Sequence, residues 1–138
     1  MPPPKPIAVA IVAHADQVLV GVRGDDGPLP GFAEFPGGKC QPGEAPADGA
    51  VRECGEETGL RVEIVELLDR RTFDYPHGSV DLHFFLCRLA DAREAVPRHR
   101  SFRWVAASEL RNLNFPPANA TVVELLATRP LHALSDPS

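Results

Sequence analysis

The chain has 138 residues, enough for one domain with one hydrophobic core and too few for two. Its composition, 43% hydrophobic and 24% charged, is that of an ordinary globular protein, and a formal net charge of −5 argues against binding to nucleic-acid polymers or anionic membrane. Three cysteines, Cys40, Cys54 and Cys87, without C-x-x-C spacing, point to neither a disulfide framework nor a zinc site.

Residues 1–6 read as a flexible Pro-rich N-terminus. They lack the charged flank and cleavage site of a signal peptide, and no apolar run approaches membrane-spanning length, so a cytoplasmic location is expected. Ile7 to Ala13 and Val18 to Arg23 are β-branched-rich strands around a turn at His14 to Gln17. Gly24 to Gly31 is a loop by its Gly, Pro and Asp content, and Phe32 to Phe35 a short extended piece leading into Pro36-Gly37-Gly38. The two glycines leave backbone exposed, able to offer a carbonyl to a metal or an N–H to a phosphate. Pro46 to Thr58 is a helix with Pro46 in its first turn and internal glycines at 49 and 55. Each glycine costs about 1 kcal/mol against alanine, which points to close packing or room for a substrate. Asp48 and Arg52, four apart, can pair across one turn. Arg61 to Phe73 and Val80 to Leu89 are two longer strands turned at Tyr75 to Gly78, and Phe102 to Val105 is a further short one. Ala106 to Leu110 is a short helix, and Pro117 to Thr128 an amphipathic one with Val122, Val123, Leu125 and Leu126 facing in. Strands before and after one acidic helix, with a second helix at the end, imply a mixed sheet between helices.

The densest chemistry lies in Gly38 to Leu60, GKCQPGEAPADGAVRECGEETGL. On the predicted helix Glu53, Glu56 and Glu57 fall at i, i+3 and i+4 on one face, where unpaired carboxylates repel. A hard divalent cation with oxygen ligands is the natural partner, and Mg2+ characteristically takes a few carboxylates plus substrate phosphates. The stretch also fits the pattern G-x5-E-x7-R-E-U-x-E-E-x-G-U, U being a bulky apolar residue. Gly38, Glu44, Arg52, Glu53, Glu56, Glu57 and Gly59 fill every fixed position, with Cys54 and Leu60 at U. A chance match is on the order of one in 10^8 per window at ordinary residue frequencies. The segment thus resembles the Nudix box, signature of hydrolases acting on nucleoside diphosphates linked to another group.

That resemblance implies an α/β fold, an α/β/α sandwich with a central mixed β-sheet. It places the domain at 7–130, with its box at 38–60 and a frayed tail at 131–138. It implies Mg2+ as cofactor, with Mn2+ as an alternative, bound by Glu53, Glu56, Glu57 and the backbone carbonyl of Gly37. In the implied site Glu56 and Glu57 lead as ligands, Glu53 is the base or the group that orients it, and Arg52 holds Glu53 or Glu56 in place. Glu44 supports the metal shell.

Two segments narrow the resemblance to the MutT-like branch, the 8-oxo-dGTP diphosphatases: Glu34-Phe35-Pro36-Gly37-Gly38-Lys39 and Phe115-Pro116-Pro117-Ala118-Asn119, with Arg23 placed to match. The branch implies substrate contacts from Arg23, Glu34, Phe35, Pro36, Gly37, Gly38 and Asn119. An Asn amide can accept from the N7–H of 8-oxoguanine and donate to O6, whereas normal guanine has no N7–H. The sequence departs from the branch where a glutamate usually precedes the tryptophan, here Arg103 before Trp104, and where an arginine aligns with Gly78. The expected activity is Mg2+-dependent hydrolysis of a nucleoside triphosphate to monophosphate and pyrophosphate, with 8-oxo-dGTP leading. Alternatives are the same chemistry on CTP, dCTP or a methylated pyrimidine nucleotide, and a nucleotide-binding module without catalysis. The expected partner is a small-molecule nucleotide, and the expected state is a monomer.

Overall fold

The apolar run that begins at Ile7 is buried on both faces. In a computed structural model describing residues 3–23, 31–99 and 101–129, it forms strand β1 (Lys5–His14), the middle of a seven-stranded sheet. Ala8, Ala10 and Val12 point to one side, and Val9, Ile11 and Ala13 to the other. A two-sided strand needs a continuous apolar run rather than an alternating one.

The remaining strands are β2 (Gln17–Val22), β3 (Ala33–Glu34), β4 (Gly37–Lys39), β5 (Val62–Tyr75), β6 (Gly78–Leu89) and β7 (Phe102–Ala106). The main path is β3-β2-β1-β6-β5, with β4 paired to β1 and β7 to β2. Only β1 and β6 run parallel among the described pairs, so the sheet is mixed as expected. Helix α1 (Pro46–Thr58) covers Ala8, Ala10 and Val12 through Ala50 and Cys54. Helix α2 (Ala120–Thr128) closes the other face with Val122, Val123 and Leu126 against Ile11, Phe84 and Leu86. The result is the expected α/β/α sandwich.

α1 runs over the predicted residues. Pro46 sits in its first turn, and Gly59 ends it at φ 78°, donating its N–H to Gly55 O. Elsewhere the structure corrects the boundaries. Lys5 and Pro6, expected in the flexible N-terminus, belong to β1: they pair with Val80 and Asp81, and Pro6 O accepts the Cys40 N–H at 3.0 Å. The β5–β6 hairpin extends past Phe73 and Val80 to a two-residue loop, because Asp74 pairs with Ser79 and Tyr75 with Gly78. The last helix is split. Pro117–Asn119 is a 3-10 turn, tightened by Asn119 N–H to Pro116 O, before α2 begins. Leu125, expected to face in, is half-buried. Residues 24–30 of the predicted Gly24 to Gly31 loop and the tail at 131–138 lie outside the described residues. Among those described, no helix is long and apolar enough to cross a membrane.

The two helix glycines have different settings. A Cβ on Gly49 would lie 3.1 Å from Glu44 Oε1, 3.2 Å from Cys40 Sγ and 3.5 Å from Ala8 Cβ, so close packing accounts for it. A Cβ on Gly55 would meet only Leu60 O, at 3.9 Å. Gly55→Ala is therefore expected to stabilise the protein by roughly 0.5–1 kcal/mol, the helix-propensity difference, in urea unfolding. Gly37→Ala, whose Cβ would fall 2.5 Å from Ala8 O, is expected to destabilise it.

Candidate active site

α1 brings Glu53, Glu56 and Glu57 to one side of the helix, and a single guanidinium holds the first two. Arg52 donates from Nε and NH2 to the two oxygens of Glu44 at 2.8 and 2.9 Å. Its NH1 donates to Glu53 Oε1 at 3.0 Å and Glu56 Oε2 at 3.1 Å, and NH2 also reaches Lys39 O at 3.2 Å. This is the planar fork that only arginine supplies. The predicted Asp48–Arg52 pair gives way to these contacts, because Glu44 offers both carboxylate oxygens to the fork. Arg52, with the Gln41 N–H, holds the Glu44 carboxyl down at about 2.

Strand β4 supplies the floor. Gly38 pairs with Ala8 and Gly37 with Val9, so by strand alternation they stand toward opposite faces of the sheet. A Cβ on Gly38 would lie 2.7 Å from Glu53 Cδ: the glycine is the space that the Glu53 carboxylate occupies. The Gly37 N–H, expected to be open to a phosphate, donates instead to Glu57 Oε1 at 3.2 Å. Burial pushes Glu57 up to about 7, the Gly37 N–H pulls it down, and the charges of Glu53, Glu34 and Glu56 add to the rise.

Three carboxyl groups thus share one arginine, and Glu57 stands beside them on the Gly37 N–H. The donors are all hard oxygens, and their excess negative charge suits a hard divalent cation. Among the described residues, no three His, Cys, Asp or Glu side chains already converge on one point. Mg2+ characteristically takes one or two carboxylates and completes its shell with water and substrate phosphates.

The expected substrate residues divide between the two faces. Arg23 pairs with Glu34 (Nε to Oε2, 3.0 Å), and Glu34 acts electrostatically on Glu57, so this pair belongs with the carboxylates. Phe35 is buried in the α2-side core, its ring stacked on Phe115 at 4.8 Å. Pro36 is buried and its carbonyl accepts the Ala10 N–H. Asn119 is half-buried at the start of α2, and its amide makes no cap hydrogen bond to that helix. Arg103 is exposed on β7 opposite Val20. An open groove of about 400 Å³ between residues 95–99 and Trp104 is lined by Arg103 and by none of the expected substrate residues. Sequence reasoning missed the Gly38–Glu53 contact and the Lys39 carbonyl on Arg52; neither is visible without the β4–α1 crossing.

A family model described as NUDIX domain matches residues 4–126. The chain is 29% identical over 121 residues to the 8-oxo-dGTP diphosphatase of Escherichia coli K12, covering 87% of this chain and 94% of that protein. It is 34% identical over 93 residues to the 8-oxo-dGTP diphosphatase of Haemophilus influenzae, covering 67% and 68%. The solution structure of a MutT protein (family Nudix hydrolase) from methicillin-resistant Staphylococcus aureus 252 superposes with a TM-score of 0.74 at 28% identity, covering 93% of this chain and 98% of that one.

The Glu57 shift sets a pH dependence. Its folded value, about 7, lies above the ordinary carboxylate range, so the folded state binds the extra proton. That stabilisation is complete below about pH 4 and is lost as the pH rises through about 7. The melting temperature of the metal-free protein is expected to fall between about pH 5 and 8, and Glu57→Gln to remove part of that slope. Added Mg2+ should raise the melting temperature more at the upper end of this range than at the lower.

Proposed function

The chain belongs to the Nudix family, and on that premise we propose that it is a Mg2+-dependent nucleoside triphosphate pyrophosphohydrolase that sanitises the nucleotide pool. Its leading substrate is an oxidised purine deoxynucleotide of the 8-oxo-dGTP type. The observation that carries this reading is the Arg52 hub: it ties Glu44 down and leaves Glu53, Glu56 and Glu57 beside the Gly37–Gly38 strand. The names of the Escherichia and Haemophilus relatives support the choice of base.

Glu56, Glu57 and the Gly37 carbonyl would hold the metal, with Glu53 beside them. When bound, Mg2+ neutralises phosphoryl oxygens and lowers the pKa of a coordinated water. Glu53 uses the carboxylate oxygen not engaged by Arg52 to take the proton of the attacking water. The new P–O bond forms at a phosphoryl group as the P–O–P bridge opposite breaks, giving monophosphate and pyrophosphate. Arg23, held by Glu34, binds a phosphate oxygen. Asn119 accepts from N7–H and donates to O6 of the oxidised base. Normal guanine leaves its carbonyl unpaired in a half-buried place, which is how a hydrogen-bonding site discriminates.

The test is hydrolysis of 8-oxo-dGTP, dGTP, dCTP, CTP, 5-methyl-dCTP and ADP-ribose by the purified protein with Mg2+, resolving pyrophosphate from phosphate. A large preference for 8-oxo-dGTP is expected. Asn119→Ala should shrink that preference at least about tenfold, and Glu53→Gln should lower kcat by about 10^2 to 10^4 with nucleotide binding kept. A profile led by a pyrimidine discards the base assignment. Turnover unaffected by Glu53→Gln discards the catalytic one.

A further inference from the structure

The α2 face of the sheet is left half-covered at the β4 end. Register places Lys5, Val80 and Phe73 in one row across β1, β6 and β5, and Ile7, Leu82 and Arg71 in the next. A third row holds Val9, Phe84 and Asp69. Ile7, Phe73 and Val80 are partly buried against the α2-side core and form an apolar floor at this end of the sheet. On one side stands the segment that carries Phe115 and Asn119, anchored by Ala33 N–H to Asn114 O and by the Phe35–Phe115 stack. On the other side β5 rises, with two charged residues beside Phe73 on the same face.

Those residues are Asp69 and Arg71. They face the floor because a bulge between Leu67 and Asp69 shifts the register by one residue. Asp69 is mostly buried, its side chain 20% exposed, and its Oδ2 accepts from Arg71 Nε at 3.2 Å. No other partner is found for Asp69 among the described residues, so its second carboxylate oxygen keeps its acceptor capacity. From β1 to β5 is two strand spacings, roughly 10 Å, which a flat base with a hydrogen bond on each edge can span.

We propose that Asp69 is a specificity-determining residue that reads the N1–H and 2-amino edge of a guanine-type base lying on this floor, with Arg71 positioning its carboxylate. This rests on the nucleotide hydrolase reading given above. A carboxylate only accepts, and guanine presents donors at N1 and the 2-amino group. At the same two positions adenine presents an acceptor at N1 and only a C–H at C2, so the same carboxylate repels it. Asn119 addresses O6 and N7 on the opposite edge, and the two side chains together select an oxidised guanine over adenine and over the shorter pyrimidines. Arg71 also places a cation on the base side of the site.

Steady-state kinetics with 8-oxo-dGTP, dGTP, dITP, dATP and dCTP test this in the wild type, Asp69→Asn, Asp69→Ala and Arg71→Met, with thermal melting as the folding control. The wild type is expected to prefer dGTP to dITP, which lacks the 2-amino group. Both Asp69 variants should lose at least about tenfold in kcat/KM for 8-oxo-dGTP and dGTP, mostly through KM. They should change dCTP less than about twofold and so narrow the gap between dGTP and dITP. Arg71→Met should move the same ratio in the same direction by less. If the wild type prefers guanine nucleotides and the Asp69 variants keep that preference, or lose all substrates equally, the inference is overturned and the hydrolase reading stands. If the wild type shows no guanine preference, the base assignment and this inference fall together. If it turns over no nucleotide at all, the hydrolase reading itself has failed.

Discussion

One arginine makes the acidic helix tolerable. Glu53, Glu56 and Glu57 crowd one side of α1 with Glu44 just ahead of it, and each like pair costs a few tenths of a kcal/mol even when solvated. Arg52 spreads its guanidinium over Glu44, Glu53, Glu56 and the Lys39 carbonyl. Every nitrogen of the fork is engaged, so the side chain has a holding role and little left to offer a substrate. Lysine, with a single compact ammonium, could not span these partners. Glu57 lies beyond the reach of the hub, takes its one hydrogen bond from Gly37, and is the carboxyl whose proton affinity rises.

Close approach is the second requirement, and it follows from the first. The carboxylates are useful only if α1 sits tightly over β4 and β1. Ala8 and Gly49 let the helix down onto the sheet, and Gly38 leaves the volume that Glu53 fills. Because β4 is a strand, Gly37 and Gly38 stand toward opposite faces. The sandwich therefore carries its carboxylates on the α1 side and its apolar floor, Phe115 and Asn119 on the α2 side, joined at β4. A nucleotide placed across that junction puts its phosphates on one face and its base on the other. The division of the proposed substrate-contact residues between two faces is then a consequence of strand geometry.

How much of this could be read from the sequence differed by element. α1 was legible to the residue, since Pro46 starts it, Gly59 ends it and the charged spacing has a helical period. The apolar run after Ile7 announced a strand, but the start of β1 was hidden, because proline conceals Pro6 from any strand reading while its carbonyl still pairs. The end of the β5–β6 hairpin was also hidden: Asp74 and Ser79 look like turn residues and are held in register by cross-strand pairing. In the site, the identity of the carboxylates was plain and their partners were not. Arg52 has Asp48 as its nearest helical neighbour in the sequence and chooses Glu44, which only the fold brings within reach. The Gly37 N–H looked open and is taken by Glu57. Asp69 and Arg71 alternate like solvent-facing strand residues until the bulge before them sets their direction.

The central claim is that α1, held by Arg52, forms a divalent-cation site that a nucleotide completes. The most direct measurement is Mn2+ binding followed by electron paramagnetic resonance, with and without a non-hydrolysable deoxynucleoside triphosphate analogue. The account predicts weak Mn2+ binding to the protein alone, at least about tenfold tighter binding with the nucleotide present, and loss of both in Glu56→Gln/Glu57→Gln. Mn2+ binding unchanged in that double variant, or indifferent to the nucleotide, would contradict it.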